Sequence, residues 1–106
     1  MTAPRTVPRA TPLPMTEKDV ERHVVDAAKQ FGWARYHTHR SDYSPAGWPD
    51  EVLVRPPRMV IAELKGRKKD PSPKQQEWIN LLRQIPGLEV HVWRPDDLDE
   101  IDRILR

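Results

Sequence analysis

The spacing of apolar residues changes several times along this chain, and each change predicts a different element. Between residues 16 and 32 apolar side chains recur every three or four positions. This predicts an amphipathic helix with Thr16 as its N-cap and Gly32 at its end. Residues 33–38 have the composition of a strand, and a polar loop over 41–47 follows them.

A pair of prolines between two β-branched runs predicts a tight β-hairpin. The first strand covers the valines of 52–54, the segment 55–58 interrupts it, and residues 59–65 form the second strand. Side chains two positions apart on a strand share a face. Glu63 and Lys65 are therefore expected to point the same way.

A second helix is predicted to begin after Ser72, with Pro73 in its first position, and to end at Pro86-Gly87. An alternating strand over 88–93 and a short helix from about 96 to 105 follow. The order α-β-β-β-α-β-α predicts an α/β fold with a mixed sheet flanked by helices. The buried stripe of the second helix is expected to consist of Trp78, Ile79, Leu81, Leu82 and Ile85.

The composition favours one small domain. A chain of 106 residues, 37% of them hydrophobic, can bury one modest core, and a stable dimer would add to its stability. The absence of cysteine excludes disulfides and zinc–thiolate sites and is compatible with a cytoplasmic protein. No apolar run has the length of a membrane span, so no membrane partner is expected.

Residues 1–15 differ in composition from the rest of the chain. They contain four prolines and two arginines but no continuous apolar stretch of the kind that signal peptides have. They predict a flexible, proline-rich arm in front of a single domain over 16–106. We favour a solvated tail over an arm that contacts nucleic acid.

Asp50, at the start of the hairpin, and Glu63 and Lys65, at its end, are the candidate catalytic residues. If the two ends of the hairpin pair, two carboxylates and an ammonium converge, which is unfavourable unless a divalent cation is bound. Mg²⁺ or Mn²⁺ suits these oxygen ligands, to which the Leu64 carbonyl could add another. Lys65 would orient or activate the attacking water. The alternative is an ordinary exposed salt bridge between Glu63 and Lys65.

Short motifs follow one another in a characteristic order, at Gly47-x-Pro49-Asp50, Glu63-x-Lys65, Ser72-x-x-Gln75 and Trp78. In this order they resemble the VRR-NUC branch of the PD-(D/E)XK nucleases, over about residues 16–93. The resemblance implies a restriction-endonuclease-like α-β-β-β-α-β core and a Mg²⁺- or Mn²⁺-dependent DNA nuclease. Stand-alone domains of this size are similar to phage-encoded members.

The resemblance also implies two further site positions. A glutamate of the first helix often completes the metal site in this superfamily, and Glu17 and Glu21 share one helix face. Glu17 follows a threonine as in VRR-NUC sequences, whereas Glu21-Arg22 resembles a pair in archaeal Holliday junction resolvases. We slightly favour Glu17. Gln75 would bind the attacking water or a phosphate oxygen, and its alternative role is that of an exposed helical amide.

Charge is distributed unevenly along the chain. The segment 35–69 has eight basic and four acidic residues, a net charge of +4, whereas 95–106 has a net charge of −3. A DNA backbone should contact the first segment, and the acids of the second should face away from it. The expected DNA-binding residues are His37, His39, Arg40, Arg67, Lys68 and Lys69. A transition-metal site at the two histidines is less favoured, because no third ligand of the same kind is nearby.

These features together predict an endonuclease that hydrolyses DNA phosphodiester bonds with metal-activated water. Its expected substrate is branched, nicked or duplex DNA, with selectivity for DNA structure. Two alternatives stay open. One is a Holliday-junction-type resolvase that acts as a homodimer, and the other is a DNA-binding module without catalysis. The intact set of acids with Lys65 and Gln75 favours an enzyme.

Overall fold

The computed structural model describes residues 15–39 and 45–106. Residues 1–14 of the predicted arm and the predicted DNA contact Arg40 lie outside these ranges. None of the helices in the described ranges combines the length and the apolar character needed to cross a membrane.

The described chain forms a four-stranded mixed sheet with helices on both faces. The predicted order of helices and strands is confirmed, with a short 3-10 turn added before the last helix. In chain order the elements are α1 (Glu17–Phe31), β1 (Ala34–His37), β2 (Glu51–Arg55), β3 (Arg58–Leu64), α2 (Pro73–Leu82), β4 (Glu89–Trp93), the 3-10 turn (Pro95–Asp97) and α3 (Leu98–Leu105).

The strands lie side by side in the order β1-β2-β3-β4, and the last pair is parallel while the others are antiparallel. β2 and β3 form the central hairpin, whose last backbone pair is Glu51 with Ala62. One step beyond this pair, Asp50 comes alongside Glu63 at the open end of the hairpin. β4 ends beside the same end of β3.

Two sets of buried side chains hold the helices against the sheet. α2 covers one face, where Ile61, Ile79, Leu82 and Val90 pack together. α1 and α3 cover the other face through Val20, Val24, Ala27, Ala28, Trp33, Leu53, Val60, Ala62, Leu64, Trp93, Ile101 and Leu105. Successive residues of β3 face the two layers in turn, so Glu63 lies on the same side as Ile61 and α2.

Capping residues set where the two longer helices begin. Thr16 and Asp19 form a capping box at the start of α1, and Ser72 and Gln75 form another at the start of α2. Gly32 ends α1 with a φ of 79°, as the sequence predicted. These caps determine the position of each first turn relative to the hairpin.

α2 buries fewer side chains than the sequence predicted. Ile79 and Leu82 are buried, but Leu81 and Ile85 are 58% and 51% exposed, so their predicted burial was wrong. Leu81 lies about 200° around the helix from Ile79, away from the sheet. The helix ends at Leu82, so helical spacing does not apply to Ile85.

Candidate metal centre at the open end of the central hairpin

Glu63 and Lys65 project from the end of β3 on the same side, as strand alternation predicted. Glu63 is 1% exposed, and its Oε2 atom lies 3.4 Å from the Nζ atom of Lys65. The backbone N–H of Lys65 donates to the Trp93 carbonyl at 2.9 Å, which ties this end of β3 to β4. Glu63 is therefore buried and Lys65 is 15% exposed, so the pair differs from an exposed surface salt bridge.

Asp50 is held between its two neighbouring strands. The backbone N–H of Thr38, just after β1, donates to the Asp50 carbonyl at 2.9 Å, and the Thr38 hydroxyl donates to the Pro49 carbonyl at 2.8 Å. The Asp50 carboxylate accepts from the backbone N–H of Leu64 at 2.8 Å. These contacts place the carboxylate beside Glu63, as the hairpin pairing predicted.

The loop that leads into β2 is packed against the first turns of α2. Gly47 has a φ of 94°, and a Cβ atom there would lie 2.6 Å from the Lys74 carbonyl carbon. The indole N–H of Trp78 donates to the Ala46 carbonyl at 3.1 Å, and the Trp48 and Trp78 rings meet edge to face at 5.0 Å. Glycine is required at position 47 both by the positive φ and by the close approach of the Lys74 backbone.

The carboxyl group of Glu63 has unusual electrostatics. Burial and the neighbouring Asp50 charge raise its pKa to about 7, although Lys65 opposes the rise. Among the described residues, its Oε1 atom is buried and has no hydrogen-bond partner. A buried carboxylate oxygen without a donor is unfavourable, and a hard divalent cation would satisfy it. The residues present therefore fit such an ion.

Glu17, the first residue of α1, lies within electrostatic range of this group. The pKa of Glu17 is raised above its ordinary value by burial and by the charge of Asp50, although Lys65 and Lys69 oppose the rise. The Thr16 cap sets the start of the helix and so the position of this carboxylate. Glu17 is therefore the helical acid that the structure brings toward Asp50.

Glu21, the other helical candidate, contacts different residues. Its carboxylate lies 3.2 Å from Arg35 and 3.5 Å from His37. His37, an expected DNA contact, is thus engaged by protein carboxylates, because its Nδ1 atom also lies 3.0 Å from Glu51. The exposed His39 meets the His37 ring edge to face, with centroids 5.1 Å apart.

The pairing of Arg35 with Glu51 was not predicted from the sequence. Arg35 donates to both carboxylate oxygens, at 2.6 and 2.8 Å, and Glu51 is fully buried. A signal was present, since Glu51 is two residues before the apolar Leu53 and so shares its core-facing side. Arg35 lies opposite Leu53 on β1, on the diagonal from Glu51.

Gln75 takes part in the cap of α2. Its side-chain oxygen accepts from the Ser72 backbone N–H at 2.7 Å, and its backbone N–H donates to the Ser72 hydroxyl at 3.2 Å. Ser72 therefore acts as an N-cap, as expected. The Gln75 backbone also lies close to Gly47, which brings this residue next to the loop that carries Asp50. Its side-chain nitrogen is not used by the cap.

The loop after β3 presents the predicted basic residues beside α1. Arg67, Lys68 and Lys69 are exposed, and with Gly66 and residues 15–17 they line an open cleft of about 490 Å³. The C-terminal acids were expected to face away from the DNA-binding residues, but Asp96 lies 3.4 Å from Arg67. Because β3 and β4 are parallel, their carboxyl ends lie side by side, and the segments that follow them, with Arg67 and Asp96, leave the sheet at the same end.

The chain matches none of the models of known protein families, and no curated protein matches its sequence. A function assigned to this chain therefore depends on the side chains described above and on their geometry.

Proposed function

We propose that this protein is a Mg²⁺- or Mn²⁺-dependent DNA endonuclease of the VRR-NUC type. The observation that carries the proposal is the placement of Asp50 beside Glu63, with the Lys65 ammonium 3.4 Å from Glu63. A DNA-binding module without catalysis is less well supported, because clustered acids repel the phosphate backbone. The buried Oε1 atom of Glu63, which has no hydrogen-bond partner within residues 15–39 and 45–106, would have no role in such a module.

Four oxygen donors would hold the ion. Asp50 and Glu63 would bind it directly, and Glu17 and the Leu64 carbonyl would complete the set. Mg²⁺ and Mn²⁺ prefer such ligands and retain several waters. When bound, the ion would polarise the phosphate and lower the pKa of a coordinated water. Its charge would also balance the two acids that burial brings together.

The side chains around the ion would support in-line hydrolysis. A water oxygen loses a proton to solvent and forms a bond to phosphorus as the bond between phosphorus and the 3′ oxygen breaks, and the 3′ oxygen takes a proton from solvent. The products carry a 5′-phosphate and a 3′-hydroxyl. Lys65 would orient the water and neutralise charge that builds on the phosphate. Gln75 would donate a hydrogen bond from its side-chain nitrogen to a phosphate oxygen.

DNA would approach over the basic loop. Lys68 and Lys69 are exposed beside the Glu17 side of the metal centre, where contacts to phosphates would supply affinity that depends on salt but not on sequence. His39 would extend this surface on the side of β1. An enzyme of this kind would act in the cytoplasm, or in the host cytoplasm if it is encoded by a phage.

A homodimer that resolves four-way junctions is the second form of this proposal. One small sheet offers little surface for two DNA strands, and a two-fold dimer would present a site to each. The edge strand β1, where Tyr36 is 62% exposed, offers a surface for such pairing. Gel filtration, with a comparison of junction and duplex cleavage, distinguishes the two forms.

A cleavage assay with purified protein tests the proposal. Linear duplex, nicked duplex and four-way junction, each end-labelled, are incubated with Mg²⁺, Mn²⁺ or EDTA, and we expect metal-dependent products with 5′-phosphates. Lys65→Ala should lower the rate about 100-fold or more, and a thermal melt checks that the variant is folded. The control Lys29→Ala changes an exposed lysine at the end of α1 and should cleave normally. Equal rates for Lys65→Ala and the wild type would refute the site.

A further inference from the structure

Directly behind Asp50, on the opposite face of β2, four side chains, one fully buried and three partly exposed, form what we call the Glu51 cluster. Its centre is Glu51, which is 0% exposed. Arg35 donates to both Glu51 oxygens at 2.6 and 2.8 Å, and His37 Nδ1 lies 3.0 Å from one of them. Glu21 completes the cluster, 3.2 Å from Arg35 and 3.5 Å from His37.

Stability alone does not explain this cluster. Arg35 is 25% exposed, but Glu51 is fully buried, and the loss of water around a buried charge offsets much of the attraction within an ion pair. The planar guanidinium of Arg35 does impose one orientation on the carboxylate it binds. Hydrogen bonding to Glu51 raises the pKa of Arg35, so the guanidinium stays charged. Such a cluster therefore fixes geometry.

α1 and β2 each contribute one acid to the metal centre and one to the cluster. In α1, Glu21 lies one helical turn beyond Glu17. In β2, Glu51 directly follows Asp50, and successive side chains on a strand point to opposite faces. A shift of either element relative to β1 would break a contact in the cluster and move a metal-binding acid at the same time.

We propose that the Glu51 cluster is a positioning device that holds Glu17 and Asp50 at the separation the cation requires. This inference rests on the proposed function. The cluster residues act through the ligands and bind neither the ion nor DNA. Removing the cluster should therefore weaken metal binding although every ligand is kept. Substitution of residues that hold metal ligands in place typically lowers metal affinity about 10–100-fold.

A second metal site is the competing interpretation of the same residues. One ligand atom from each of Glu21, His37 and Glu51 lies within 4.8 Å of the others. However, Arg35 already donates to both oxygens of Glu51, so a metal ion would have to enter next to a fixed positive charge. The competing interpretation predicts an additional ion for each chain, and the positioning role predicts none at the cluster.

Calorimetric titration with Mn²⁺ tests the positioning role in the double variant Arg35→Met/Glu51→Leu. Apolar residues of similar size often replace a buried ion pair without loss of stability, and a thermal melt will check the fold. The matched control, Arg58→Met/Glu89→Leu, removes another two-pronged pair, at 2.6 and 2.8 Å, from the far end of β3. We expect Mn²⁺ affinity to fall about 10–100-fold in the first variant and to stay unchanged in the control.

Arg35→Lys is the second variant, and it decides the question if the double variant does not fold. It keeps a positive charge for Glu51 but loses the two-pronged geometry, so Mn²⁺ affinity should still fall. If the folded variants bind Mn²⁺ with wild-type affinity, the positioning role is wrong but the proposed function stands. An additional Mn²⁺ ion that is lost with the cluster would overturn it in favour of a metal site. A wild-type protein that binds no Mn²⁺ would overturn the proposed function as well.

Discussion

The carboxylate of Asp50 accepts a hydrogen bond from the backbone N–H of Leu64 at 2.8 Å, across the open end of the central hairpin. This bond extends the contact between β2 and β3 beyond their last backbone pair, Glu51 with Ala62. It holds the Asp50 carboxylate close enough to Glu63 to raise the pKa of that residue. The proposal that these two acids share a divalent cation follows from this placement.

Asp50→Asn should separate metal binding from folding. An amide oxygen can still accept the Leu64 hydrogen bond, but a neutral group binds a hard cation poorly and no longer repels Glu63. We expect the Mn²⁺ dissociation constant to rise more than about tenfold, or ~1.4 kcal/mol. In EDTA, the melting temperature should be unchanged or higher. Asp26→Asn, at an exposed position of α1, is the control. Tight Mn²⁺ binding by Asp50→Asn would place the ion elsewhere.

Mn²⁺ affinity should depend on pH through Glu63, whose pKa is about 7. The ion binds the charged carboxylate, so at lower pH a proton must be released on binding. Affinity should therefore fall by about tenfold for each pH unit below the pKa. Calorimetry in buffers with different ionisation heats measures the proton release. An affinity that does not change across this pH range would remove Glu63 from the ligand set.

The same raised pKa affects the stability of the metal-free protein. Folded Glu63 keeps its proton to a pH of about 7, whereas the unfolded chain releases it near its ordinary pKa of 4.5. The folded state therefore binds more protons in this interval, and the free energy of unfolding should decrease as pH rises through it, then level off. Urea unfolding in EDTA measures this slope. Glu63→Gln should make the slope smaller, and an unchanged slope would contradict the assignment.

Gly47→Ala should destabilise the protein more than Gly87→Ala. Both glycines have positive φ, 94° and 82°, which a side chain disfavours by about 1–2 kcal/mol. At Gly47 the new Cβ would also lie 2.6 Å from the Lys74 backbone, whereas nothing lies within 4 Å at Gly87. Denaturant unfolding measures the difference. Equal losses for the two variants would contradict the close packing of this loop on α2.

Lys68→Ala and Lys69→Ala should each reduce the salt dependence of DNA binding. If each lysine contacts one phosphate, the slope of log affinity against log salt should shrink by about 0.9 for each substitution. Arg67→Ala should have a smaller effect, because Asp96 lies 3.4 Å away and partly neutralises Arg67. Fluorescence anisotropy in EDTA gives the slopes, with Arg103→Ala in α3 as the control. Identical slopes for all four variants would exclude the basic loop as a DNA contact.

Local signals explain why the elements and the hairpin acids could be predicted from the sequence. Thr16 and Ser72 are strong caps, and Gly32 adopts the positive φ that ends α1. Because strand pairing is set by the neighbouring turn, the hairpin also placed Asp50 beside Glu63 without knowledge of the rest of the fold.

Contacts between distant elements could not be predicted in the same way. Whether Glu17 or Glu21 approaches Asp50 depends on how α1 lies on the sheet, and the two acids occupy different environments although they share a helix face. The pairing of Arg67 with Asp96 similarly depends on the parallel addition of β4. Such pairs involve large separations in sequence and leave no periodic signal.

The most direct test of the shared cation is anomalous diffraction from crystals grown with Mn²⁺. We expect a manganese peak within bonding distance of the carboxylate oxygens of both Asp50 and Glu63. A peak at the Glu51 cluster alone, or no ordered manganese in crystals that diffract well, would contradict a cation shared by Asp50 and Glu63.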